Sequence, residues 1–164
     1  MNANIPRKSK ITGLWPMMDK PMPKSESKVL AWTDGSCCKQ RFGGWAYYVK
    51  FQERSLQDKG GATDTTISCM EMEALRQVLL RIKRTPHPLE IRSDSRYVVY
   101  AFTKWIHGWT DAGWVSSTGK PVKHRELIEE IWGLLKEHRA VRPVGLLWVK
   151  GHAGERGNEV CDVL

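Results

Sequence analysis

Apolar positions in this chain follow two rhythms. Up to about residue 61 they run together or alternate, as in strands. Val29 to Thr33 is an apolar, β-forming run that ends before the Asp34–Gly35 pair, Gly44 to Phe51 (GWAYYVKF) reads as a second strand, and Ser55 to Gly61 as a weaker third. From Ser68 the spacing lengthens to that of a helix. Leu75, Val78, Leu79 and Ile82 share one helical face, and Ser68 suits the cap of that helix. Leu89 to Ser93 is a short strand. Val98, Ala101, Phe102, Trp105 and Ile106 form a second helical stripe, and Leu127, Ile128, Ile131, Leu134, Leu135 and His138 a third. Val144 to Lys150 (VGLLWVK) is the last strand, with a short helix expected near Asn158. Strands first, then alternating helix and strand, predict an α/β fold: a mixed sheet flanked by helices, with functional residues at the carboxyl ends of its parallel strands.

The chain has 164 residues, enough for one domain with a substantial core. No apolar run reaches the length of a membrane span. No apolar stretch follows the basic N-terminus, so it does not read as a secretory signal, and the expected setting is cytoplasmic. The net charge of +8 is unevenly spread, since residues 1–28 hold six Lys/Arg against two Asp/Glu and so carry half of it. Pro6, Pro16, Pro21 and Pro23 lie in the same stretch, so residues 1–28 read as a basic arm and 29–164 as the folded domain. A basic arm suits contact with a polyanion; it equally suits plain solubility. Cys37, Cys38, Cys69 and Cys161 lack the paired spacing of a zinc module and are expected to be buried free thiols. Nothing points beyond a monomer.

Four acidic positions carry the candidate chemistry. Asp34 and Asp94 each follow an apolar strand, Glu71 opens a helix in CMEMEALRQVLL, and Asp162 lies in WVKGHAGERGNEVCD. Glu71 is four residues before Leu75, hence on the core-facing stripe, where a lone carboxylate is costly unless a cation or hydrogen-bond donors meet it. Glu73 falls on another face, beside Arg76 and Gln77, and reads as a solvated helix charge. Asp34 before Gly also suits a turn, and Asp94 before Ser a helix cap. Carboxylates gathered from distant segments repel one another and call for hard divalent cations. Gly151, Gly154 and Gly157 suggest a pliable loop carrying His152, a residue suited there to proton transfer or substrate contact.

Taken together and in order, TDGS, CMEME, SDSRYV, KWIHGW, KPVK and WVKGHAG…NEVCD resemble type 1 ribonuclease H over residues 29–164. The resemblance implies the ribonuclease H fold, a five-stranded mixed sheet flanked by helices. It also implies endonucleolytic hydrolysis of the RNA strand of RNA–DNA hybrids, leaving 3′-hydroxyl and 5′-phosphate ends. Two Mg2+ ions, or Mn2+ in their place, would be held by Asp34, Glu71, Asp94 and Asp162. His152 would assist proton traffic or product release. KWIHGWTDAGW is similar to the family's substrate-binding handle, so Trp105, Trp109 and Trp114 are expected on the sugars and backbone of the DNA strand, near Lys104, Lys120 and Lys123. Trp105, in register with a core stripe, equally suits packing. Gly35, Ser36 and Cys37 after the first strand, Thr66 and Ser68 before the glutamate, and Arg96 after Asp94 complete the expected substrate contacts.

The chain departs from the family in three places. Ile67 and Ser68 stand where members commonly have two asparagines, so a phosphate pocket there leans on Thr66 and backbone groups. CCKQRFGG replaces a Gly- and Pro-rich loop and brings Lys39 and Arg41 towards the minor groove. Thr110, Asp111 and Ala112 occupy a handle that is basic in many members, a loss the basic arm would offset. The helix expected near Asn158 has only about two turns before Leu164, short for a helix without packing support, which makes Asp162 the most mobile of the four ligands. Two rival readings keep the same residues: a nuclease of this fold acting on DNA, including one split from a polymerase, and a hybrid-binding module without useful catalysis.

Overall fold

The computed structural model describes residues 28–151 together with Gly157 and Cys161. Residues 1–27 of the basic arm, His152 and Asp162 lie outside the described residues. Five strands form one sheet: β1 (Val29–Cys37), β2 (Gly43–Phe51), β3 (Arg54–Ala62), β4 (Leu89–Ser93) and β5 (Val144–Trp148), in the order β3-β2-β1-β4-β5. β1 pairs antiparallel with β2, and β2 with β3, whereas β4 and β5 run parallel to β1. The mixed sheet expected from the sequence is therefore present, with β1 at its centre.

β1 runs further than its apolar residues suggest. Asp34 pairs with Ala46 and the ladder continues to Cys37↔Gly43, so the Asp34–Gly35 pair is strand and not turn. On the other edge the parallel ladder stops at Thr33↔Ser93. Asp34 and Asp94 are each the next residue, which puts both at the carboxyl end of the parallel pair.

Two 15-residue helices, α1 (Ile67–Arg81) and α4 (Arg125–Arg139), pack together, and α1 lies across β1 and β2. Ala31, Tyr47, Ile91 and Leu146 of the sheet meet Met72, Leu75 and Leu79 of α1 and Ile128, Ile131 and Leu135 of α4 in the main core. The cap of α1 is Thr66 and not Ser68: the Thr66 hydroxyl accepts from the Cys69 amide at 3.3 Å. Ser68 is already in the first turn. Likewise Ser95, and not Asp94, caps α2 (Arg96–Tyr100), accepting from the Val98 amide at 3.3 Å. Asp94 is thus spared that duty. α2 continues through a π-helical segment (Ala101–Trp105) into α3 (Ile106–Asp111), so the second apolar stripe belongs to one bent run.

The opposite face of the sheet carries a second, smaller cluster of Trp32, Ala46 and Cys161. Gly157 and Cys161 are both helical. A Cβ on Gly157 would fall 2.0 Å from the Trp32 ring, so this glycine is required by close approach and not by pliability. Beside this cluster, buried Glu90 is joined by Lys28 at 2.8 Å and Arg92 at 2.7 Å. Burial alone would raise its pKa, but these two cations outweigh burial and hold the carboxylate below its ordinary range. All four cysteines are free; among them only Cys161 is buried, contrary to the expectation for Cys37, Cys38 and Cys69.

Candidate active site

Gly35 sets the site. A Cβ there would lie 2.3 Å from the Glu71 amide nitrogen and 2.5 Å from the Met70 carbonyl carbon. Only a residue without a side chain lets the first turns of α1 rest directly on β1. That contact brings Glu71, which is 7% exposed, beside the end of the parallel ladder. One carboxylate oxygen from each of Asp34, Glu71 and Asp94 then lies within 4.8 Å of the others. The Gly35 amide also donates to Asp34 Oδ1 at 2.9 Å, turning that side chain towards its own strand end.

Three hard oxygen donors at this separation fit a hard divalent cation such as Mg2+ or Mn2+, which prefers carboxylate and water ligands. They offer nothing to a soft metal, since no thiol or imidazole joins them among the described residues. Asp162 and His152 lie outside the described residues, but their chain neighbours are close by. A Cβ on Gly151 would come 2.7 Å from Asp94 Oδ2. The Cys161 thiol is 3.5 Å from the Trp32 carbonyl, two residues before Asp34.

The other expected substrate residues lie on several elements of the fold. Ser36 is exposed and Cys37 half-buried at the end of β1, with the Cys37 thiol 3.5 Å from the Thr65 carbonyl. The loop after β1 bends back through Arg41, whose backbone is left-handed (φ 64°) and whose carbonyl accepts from the Thr65 amide at 3.1 Å. Lys39 and Arg41 are exposed; Arg41 pairs with Asp64 at 2.9 Å. Thr66 is exposed at the start of α1, where helix amides and dipole favour an anion. Ser68 is half-buried behind it.

Arg96 stacks on Trp148, 4.5 Å from its ring, and Trp148 Nε1 donates to the Asp94 carbonyl at 2.9 Å. Arg96 therefore stands over the segment that carries Asp94. Trp105 is 39% exposed and has Tyr97, Tyr100 and Trp109 around it at 5.8–5.9 Å between ring centres. It is a surface aromatic supported by others, neither free nor core. Trp105 and half-buried Trp109 line a groove of about 520 Å³ with Lys104, Gly108 and Val115. Trp114, expected beside them on the substrate, is instead buried in the main core with Arg125 stacked on its ring at 5.1 Å. Lys123 is exposed just before α4.

Sequence reasoning missed His124. It follows Lys123 in left-handed conformation (φ 60°), and its ring touches the Cys69 thiol in the first turn of α1 at 3.4–3.5 Å. A non-glycine left-handed residue leaves no mark in a hydrophobic pattern, so only its basic neighbours hinted at it.

The RNase H family model matches residues 26–164. The chain belongs to the RNase H family. It is 36% identical to ribonuclease H of Zymomonas mobilis over 147 residues, covering 87% of this chain and 91% of that protein. Ribonuclease HI of Xylella fastidiosa (strain 9a5c) is 37% identical over 137 residues, 83% of this chain and 88% of that protein. Among solved structures the fold is similar to LC9-RNase H1, described as a type 1 RNase H with the type 2 active-site motif (TM-score 0.66, 24% identity, 89% of this chain and 72% of that one). It is also similar to foamy viral protease-reverse transcriptase in complex with RNA/DNA hybrid (TM-score 0.74, 20% identity, 91% of this chain and 21% of that one).

Proposed function

We propose that this RNase H family member is an endonuclease that hydrolyses the RNA strand of RNA–DNA hybrids, leaving 3′-hydroxyl and 5′-phosphate ends. The observation that carries the reading is the meeting of Asp34, Glu71 and Asp94 at the end of β1 and β4 in a chain of this family. In this proposal those three carboxylates and Asp162 hold two Mg2+ ions, with Mn2+ able to replace them. Bound there, such ions supply Lewis acidity towards the phosphate oxygens and lower the pKa of water to the neutral range.

The protein's own groups orient the strand and manage the proton. Asp34, on the central strand and with one carboxylate oxygen within 4.8 Å of those of Glu71 and Asp94, would be a ligand to the ions alongside either. Gly151, against Asp94, supports His152 as the group that relays the proton or helps the product leave. Thr66, Ser68 and the amides opening α1 form the phosphate seat, with Lys123 beside it. Gly35, Ser36, Cys37, Lys39 and Arg41 face the minor groove, whose shape and 2′-hydroxyls distinguish a hybrid from plain duplex DNA. Arg96 follows the scissile segment, and Trp105 and Trp109 take the DNA strand. Residues 29–164 make up the catalytic domain, acting as a monomer, and the arm at 1–28 adds sequence-independent attraction to the polyanion.

Cleavage of a hybrid labelled on either strand, with and without chelator, tests this against single-stranded RNA and both homoduplexes. Metal-dependent cutting of the RNA strand alone is the expected result. Cutting of the DNA strand would favour the DNA nuclease, and binding without cutting the inert module; either outcome defeats the proposal.

A further inference from the structure

A second cavity lies at the far end of β1 from the acidic cluster, roughly 16 Å away at the rise of a strand. Its volume is about 450 Å³, inside the range of small-ligand pockets. Val29, Val49, Phe51, Leu56 and Ile82 give it an apolar wall. Its charged lining is all basic: Arg54, Arg81, Lys83 and Arg142, with His87 beside them and no Asp or Glu.

Arg142 is the unusual member. It is 4% exposed, yet among the described residues no carboxylate pairs with it, and its Nε has no hydrogen-bond partner. Its other nitrogens donate only to neutral groups: Nη1 to the His87 carbonyl at 3.3 Å, and Nη2 to His138 Nδ1 at 2.9 Å and to the Lys83 carbonyl. These bonds fix the guanidinium without neutralising it. Burial and the nearby Arg84 push its pKa down to about 10, so it stays charged at neutral pH. An uncompensated cation in an apolar wall is costly, and an anion that brings its own apolar body relieves the cost on both counts.

We propose that this cavity is a binding site for an amphiphilic carboxylate, with the apolar body between β1, β2 and the end of α1 and the carboxylate on Arg142 and the Lys83 rim. The site is separate from the acidic cluster and is free to fill while the cluster is engaged.

Calorimetric titration of the full chain with decanoate, against decanol of the same length, tests the proposal. Single-site binding of decanoate is expected, with decanol about tenfold weaker or worse because a desolvated guanidinium discriminates by charge. Lys83→Glu, an exposed change, should weaken decanoate by about tenfold, and Leu56→Trp should fill the cavity and remove binding. Equal affinity for decanol, or decanoate binding unchanged in the Lys83→Glu protein, overturns it. The fold of Leu56→Trp is checked by its melting curve and the conclusion rests on Lys83→Glu if that variant does not fold.

Discussion

Gly35 and Glu71 are in backbone contact: the space where a Cβ on Gly35 would stand is occupied, 2.3 Å away, by the amide nitrogen of Glu71. Strand and helix touch there without a side chain between them. Gly35→Ala must therefore push α1 off β1. The expected cost is about 1–3 kcal/mol in urea unfolding, as for other overpacked positions, with a fall in hybrid cleavage as Glu71 leaves Asp34. Gly44→Ala is the contrast, since its Cβ would meet nothing nearer than 3.5 Å. That variant should keep both stability and activity.

The three clustered carboxylates predict a charge effect on stability that depends on divalent cations. Mg2+ should raise the melting temperature of the protein by mass action, and chelator should reverse it. Asp34→Asn should lose most of that response. In chelator the same variant should melt above the unsubstituted protein, because one of three repelling charges is gone. Its cleavage of hybrid should fall by about 10²–10³-fold or more. A variant that still gains stability from Mg2+ as before would argue against this cluster as the cation site.

Buried His138 predicts an acid-sensitive fold. Its Nε2 donates to the Leu79 carbonyl at 2.8 Å and its Nδ1 accepts from Arg142, so the ring is neutral. Burial, opposed by the Leu79 bond and joined by the charges of Arg142 and Arg84, lowers its pKa below the usual 6.5, with Glu137 acting weakly the other way. The unfolded chain thus binds a proton that the folded chain refuses. Stability from this group is complete above pH 6.5 and declines as pH falls below it. Melting temperatures between pH 7.5 and 5 should show the decline, and His138→Gln should flatten it while lowering stability overall by about 1–3 kcal/mol.

Thr66 serves both the helix and the proposed phosphate seat. Thr66→Ala should cost about 1 kcal/mol through the lost cap and should also raise KM for hybrid. Thr66→Ser keeps the hydroxyl and should restore both. Loss of stability in Thr66→Ala without a rise in KM would confine the residue to capping.

Trp105 rests on other rings, so its removal should act on binding and little on the fold, whereas Trp109 also packs against the main core. Trp105→Ala is expected to raise KM by about tenfold with a smaller change in kcat, as for a sugar or base lost from an aromatic platform. An unchanged KM would return Trp105 to plain packing.

Much of this is legible in the sequence. Glu71 stood on its own core stripe by i+4 spacing, and a polar group there had to be explained. The strand and helix order followed from the change of period after Gly61. Strand ends were harder, because pairing and not composition decides them: β1 continues past its apolar run since β2 offers partners as far as Gly43. Ser68 and Thr66 are equally good caps on paper, and only the helix start chooses between them. Trp114 carries the same letter as Trp105 and Trp109, but its left-handed backbone (φ 67°) turns it inward, and no spacing rule sees that. The basic cavity could not be read at all, since its walls come from four separate stretches of chain.

The wide turn at Ala101–Trp105 has one more consequence. It holds an extra residue relative to ordinary helical winding and absorbs it by widening, so removing one amino acid there would restore ordinary winding and leave the segments on either side in phase. Trp109 would then keep its direction relative to Val98. The wide turn is therefore the place where this run tolerates a change of length without turning its aromatic platform.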